Sequence, residues 1–86
     1  MKKPPPPSLR QVFAANLRGL RRVKDMSQEE LAGRADLSRT YVSSVERGER
    51  NVSIDSIEKL AGALEIQPMT LMDPAILQRM RDEIGD

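Results

Sequence analysis

The chain is all-α, and three observations predict it. Apolar residues recur at three- and four-residue steps along most of its length. Ser8, Ser27, Ser38 and Ser53 each stand just before such a run, where a hydroxyl caps a helix start. No stretch carries the two-residue alternation of a half-buried strand. Its 86 residues make one small domain, too short for a second core, with five or six helices joined by short connections.

The elements follow in order. Residues 1–7 form a polyproline arm, extended and without internal hydrogen bonds, whose Lys2 and Lys3 are available to a groove or a phosphate strand. Ser8 caps the first helix, with Gln11 at the capping-box position. Leu9, Val12, Phe13, Asn16, Leu17, Leu20 and Val23 mark its apolar face, and it stops near Lys24 and Asp25. Ser27-Gln-Glu-Glu30 is a second capping box, followed by a short helix with Leu31, Ala32 and Ala35 inward. Asp36 and Leu37 make a tight connection. Ser38 caps the third helix, which runs to about Arg47 and ends at Gly48.

Ser53 caps the fourth helix, whose apolar positions are Ile54, Ile57, Leu60, Ala61 and Leu64, with Asp55 near the positive end of its dipole. Pro68 suits the first turn of a short fifth helix containing Met69, Leu71 and Met72. Asp73-Pro74 starts a last helical segment with Ile76, Leu77, Met80 and Ile84. The organisation is therefore an arm over 1–7, a domain over 8–73 and a helical extension over 74–86.

Composition narrows the function. Without histidine or cysteine the chain lacks the commonest general base, the commonest metal ligand and any thiolate chemistry. Its hydroxyls and carboxylates form no nucleophile–base pattern, so an enzyme, a metal site and a cofactor site are not expected. No apolar run approaches a membrane span, and a cytoplasmic protein is the expectation. The net charge of +1 conceals an asymmetry. Residues 1–50 hold eleven Lys/Arg against six acids, and residues 51–86 three against seven. One half is suited to a polyanion, the other to something else.

The joint between the second and third helices is the informative part. Two helices crossing steeply through a tight turn need a small residue at their approach, a turn residue that tolerates positive φ, and apolar anchors afterwards. Ala32, Asp36, Val42 and Val45 supply these in order. That ordering, with the S-Q-E-E-L-A opening, the V-E-R-G close and the S-I-D-S-I-E-K-L-A-G-A-L fourth helix, resembles the Cro and phage-repressor (XRE-like) helix-turn-helix regulators over about Leu9 to Met72. Asp36 departs from the glycine common at its position. The resemblance implies a compact five-helix lambda-repressor-like DNA-binding domain with a C-terminal helical extension. It also implies that the third helix, about residues 38–47, enters the major groove of double-stranded DNA.

Helix geometry can be set beside that implication. With about 100° per residue and Val42 and Val45 inward, Thr40 and Arg47 point outward, Ser43 and Ser44 lie on the two flanks, and Arg39 and Tyr41 fall at opposite margins. Short hydroxyls and a long arginine permit close approach to base edges. Arg39, Thr40, Ser43 and Ser44 are the expected base readers. Tyr41 either packs partly in the core or bonds a phosphate. The resemblance adds Gln28, at the start of the second helix, and the loop with Arg47, Arg50, Asn51 and Ser53 as backbone contacts. It also pairs Arg21 with Glu46 as a structural ion pair.

Family members act as two-fold dimers on half-sites about one helical turn apart. The expected interface is the acidic, Met-rich half: Ile66, Met69, Leu71, Met72, Ile76, Leu77 and Met80. A sequence-specific transcriptional regulator, homodimeric on a pseudo-palindromic operator and without a small-molecule effector, is the leading reading. A restriction-modification controller protein is its narrower form. The rival is an adaptor or antitoxin using the same fold to bind protein.

Overall fold

The computed structural model describes residues 3–84. The expectations placed on Lys2, on the Ile84 side chain and on residues 85–86 lie outside what it describes. Five α-helices follow one another among the described residues: α1 (Leu9–Val23), α2 (Gln28–Ala35), α3 (Arg39–Glu46), α4 (Ile54–Leu64) and α5 (Ile76–Ile84). The expected short helix after α4 is a 3₁₀ turn over Pro68–Met72. Pro68 fixes its first position, and the single turn is too short to settle into α geometry.

All four serines cap as the local sequence requires. Each Oγ accepts the backbone N–H three residues on: Gln11, Glu30, Tyr41 and Ser56, at 3.0–3.1 Å. Such a cap contributes about 1 kcal/mol. The two capping boxes differ. At α1 the Gln11 side chain reaches back to the Ser8 N–H at 2.9 Å, completing the box. At α2 the Glu30 carboxylate turns instead to Arg34 at 3.3 Å, so only half of that box forms.

Four helices end alike. After α1, α2, α3 and α4 the chain passes through one residue of positive φ: Asp25, Asp36, Gly48 and Glu65. In each case two backbone N–H groups fold back onto the last carbonyls, as with Asp36 and Leu37 onto Gly33 and Ala32. Only Gly48 adopts this conformation without side-chain conflict. The sequence signals the turn at Gly48 but not those at Asp25 and Glu65.

The core is aliphatic around one aromatic ring. Leu17, Leu31, Val42, Val45, Leu60, Leu64 and Leu71 are wholly enclosed, with Phe13 and Met26 beside them. Each such leucine contributes about 1.5–3 kcal/mol by leaving water. Ala32 and Ala35 are buried where α2 meets α3, and their small side chains let the two helices cross closely. Leu9, Val23 and Ile54, placed on apolar faces by their spacing, are exposed instead, because each lies at a helix end beyond the reach of the core.

The C-terminal part is fastened to α1 by two devices. Asn16 is buried, and its Nδ2 donates to the carbonyls of Leu71 at 3.0 Å and Asp73 at 2.8 Å. One turn further on, Leu77 of α5 sits over Gly19, where an added Cβ would lie 2.7 Å from Leu77 Cδ2. The glycine makes the notch that seats α5. No helix among the described residues is long and apolar enough to cross a membrane.

Candidate nucleic-acid interface

The site begins with the pair that orients α3. Arg21, late in α1, donates from Nε to Glu46 Oε2 at 2.6 Å and from Nη2 to Oε1 at 2.9 Å. Its Nη1 donates to the Met26 carbonyl at 2.8 Å, and Gln28 Nε2 adds a third bond to Glu46 at 3.1 Å. Arg21 and Glu46 are 9% and 4% exposed. The hydrogen bond and charge of Glu46 hold the guanidinium above its ordinary pKa, against the opposing effect of burial. The carboxylate thus ties α1, α2 and the end of α3 to one point. Arg18 reaches the same place, donating to the Glu46 carbonyl at 3.3 Å.

With its angle fixed, α3 turns Arg39 and Thr40 to solvent, and neither side chain has a hydrogen bond among the described residues. Ser43, half-buried, accepts from Arg47 Nη1. Arg47 is also paired with Glu49 at 3.1 Å, and this hydrogen bond holds the Glu49 carboxyl below its usual pKa.

Ser44 is not where the sequence placed it. It is 5% exposed, and its hydroxyl donates to the Tyr41 carbonyl at 2.8 Å while accepting from Arg50 Nε at 3.0 Å. It cannot read a base edge. Helical spacing puts Ser43 and Ser44 on equivalent flanks, but Gly48 sends the chain back over the Ser44 side, where the Glu49 N–H bonds the Ser44 carbonyl at 3.0 Å. Tyr41 packs against the core, and the Arg50 guanidinium lies 5.6 Å from the centre of its ring.

The remaining backbone candidates differ in how free they are. Gln28 is half-buried with its amide nitrogen given to Glu46. Asn51 is exposed and accepts from Arg10, a residue of α1 that spacing alone did not bring to this loop. Ser53 is exposed, but its oxygen is occupied by the Ser56 cap. Arg10, Arg50 and Asn51 border an apolar cleft of about 170 Å³ floored by Phe13 and Ile57.

Of the expected interface residues, Leu71 is wholly buried and belongs to the core, because the Asn16 bond draws its segment inward. Ile66, Met72, Leu77 and Met80 are half-buried against the core, Ile76 is half-buried, and Met69 is 78% exposed.

A family model described as helix-turn-helix matches residues 17–71. The chain belongs to the XRE-type helix-turn-helix family. This XRE-type protein is 51% identical over 67 residues to the control protein C.BamHI of Bacillus amyloliquefaciens, covering 77% of this chain and 83% of that one. It is similar in structure to the restriction-modification controller protein C.AhdI of Aeromonas hydrophila, with a TM-score of 0.71 at 52% identity over 72% of this chain and 94% of that one. A hypothetical transcription factor of Neisseria aligns over 94% of both chains, with a TM-score of 0.79 and 41% identity. The turn through Asp36 and the caps at Ser27 and Ser38 are how this sequence builds the motif.

Proposed function

We propose that this protein is a sequence-specific double-stranded DNA-binding transcriptional regulator that acts as a homodimer on a pseudo-palindromic operator. Its family is one of regulators and not of enzymes. The observation that carries the reading is the outward face of α3, with Arg39 and Thr40 uncommitted on a helix held rigid by the Arg21–Glu46 pair. Arg39 donates bidentately to guanine, with Thr40 and Ser43 beside it at base edges or phosphates. Arg47, Arg50, Asn51, Tyr41, Ser53 and the N-terminus of α2 at Gln28 follow the phosphate strands. Its likeness to two controller proteins supports the narrower role of controlling a restriction-modification operon.

The second copy covers apolar surface of the C-terminal half: Met69 with Met72, Ile66, Ile76 and Met80. Leu77 supports this face from within, over Gly19. Burial of these flexible side chains favours a symmetric, self-complementary contact.

Selection from a pool of random duplexes tests the reading. An enriched pseudo-palindrome is the expected result; no enrichment favours the adaptor or antitoxin. On the selected site, Arg39→Ala should cost about 1–3 kcal/mol and relax one base position. Equal losses on selected and random duplexes would remove Arg39 from the readers. Light scattering at micromolar concentration should give twice the chain mass, and a monomer there sinks the homodimer.

A further inference from the structure

Two arginines flank Gly48, and they are held in opposite ways. Arg47 makes an exposed salt bridge with Glu49 at 3.1 Å. Arg50 makes no salt bridge among the described residues and feels Glu49 only through its charge; what it touches is a hydroxyl and a ring. Its Nε is bonded to the buried Ser44 Oγ, and its guanidinium lies over Tyr41, while Nη1 and Nη2 have no hydrogen bond among the described residues.

We infer that Ser44 and Tyr41 form a neutral seat that presents the Arg50 fork to a DNA phosphate, making Ser44 a positioning residue for DNA binding. The inference rests on the DNA-binding reading above. The seat has the chemistry this task requires. A carboxylate in place of Ser44 would hold the arginine equally well but cancel the charge a phosphate needs. A hydroxyl accepts from Nε without adding negative charge and leaves both terminal nitrogens for two phosphate oxygens. The ring face limits the guanidinium's motion while leaving its edge open.

Ser44 itself is supported from behind. Its proton goes to the Tyr41 carbonyl, so its lone pairs are turned to the arginine. Ordering a long side chain before binding removes an entropy cost from the bound state, equivalent to about 3- to 10-fold in affinity.

The experiment is a double-mutant cycle in the full chain, using a fluorescent duplex that bears the pseudo-palindrome selected by the wild type. Ser44→Ala should weaken binding about 3- to 10-fold. Arg50→Ala should weaken it further and lower the salt slope of log K by about 0.9 for each site occupied. The double variant should bind no worse than Arg50→Ala alone. The thermal midpoint of Ser44→Ala should match or exceed that of the wild type, since alanine is the better helix former. Additive losses, or wild-type affinity in Ser44→Ala, overturn the inference while leaving the DNA reading intact. Failure of the wild type to enrich or bind any duplex overturns both.

Discussion

The two fastenings of α1 make the useful comparison. Toward α3 the helix is tied by charge: Arg21 meets Glu46 in a buried, two-pronged pair with Gln28 joining it. Toward the C-terminal part it is tied by a neutral amide and by shape, with Asn16 holding two carbonyls and Gly19 receiving Leu77. A charged pair tolerates little displacement, because each partner left alone is buried without compensation. A notch and a leucine can slide and repack. The face proposed for DNA is fixed in angle, and the face proposed for a second copy is left adaptable.

Breaking the charged fastening should have the largest effect. Glu46→Ala leaves Arg21 unpaired in the interior and should cost about 3–5 kcal/mol in urea unfolding. Replacing both partners with apolar residues (Arg21→Met with Glu46→Leu) should recover most of that stability. The same double variant should still bind DNA less well, because only apolar packing through Val42 and Val45 then sets the angle of α3. A single-variant loss below about 1 kcal/mol would mean that the pair does not distinguish the two regions.

Asn16→Ala comes next. It takes the side-chain donor from the Leu71 carbonyl and leaves the Asp73 carbonyl only the Ile76 N–H, and about 1–3 kcal/mol is expected in the same assay. Gly19→Ala should change total stability by less than about 1 kcal/mol, because improved helix propensity offsets the crowding. Its effect should be local: Leu77 is displaced, and protease cleavage within α5 accelerates while cleavage within α3 does not. Equal acceleration in both helices would show that the two fastenings are not independent.

The smallest effect sharpens the comparison through pH. The Ala75 N–H, bonded to Asp73 Oδ1 at 2.9 Å, holds the Asp73 carboxyl below its ordinary value. A depressed carboxylate stabilises the fold above its unfolded pKa, and that contribution is lost as pH falls through the folded value. The start of α5 should therefore loosen in acid below the usual aspartate range of about 3.9, before α3 does. Amide exchange in the two helices measures the order.

How much of this was legible in the sequence depended on distance along the chain. The serine caps were legible because donor and acceptor lie three residues apart. The inward faces of α3 and, Ile54 at its start excepted, of α4 followed from spacing. Asn16 also fell on the apolar face of α1, but its partners lie 55 and 57 residues away, and spacing could not supply them. Ser44 shows the same limit at short range. Periodicity treats its flank and that of Ser43 alike; the direction in which the chain leaves Gly48 decides between them. Leu71 carried the right residue type for an interface, yet the buried Asn16 amide, 55 residues away on α1, claims its segment for the core.

Three of the four reversals that end the helices fall on acids, Asp25, Asp36 and Glu65, and each holds negative charge at the carbonyl end of a helix. Both the left-handed backbone and the charge oppose folding there, by about 1 kcal/mol at each position. Asp36→Gly and Glu65→Gly should each raise the thermal midpoint by a few degrees, since about 1 kcal/mol moves a domain of this size by roughly 4–8 °C. In a cell, the unfolded fraction is what proteases consume. The lifetime of this regulator is therefore set partly at helix ends outside the outward face of α3. Relieving those three positions would prolong its action after synthesis stops without altering a single side chain on the outward face of α3.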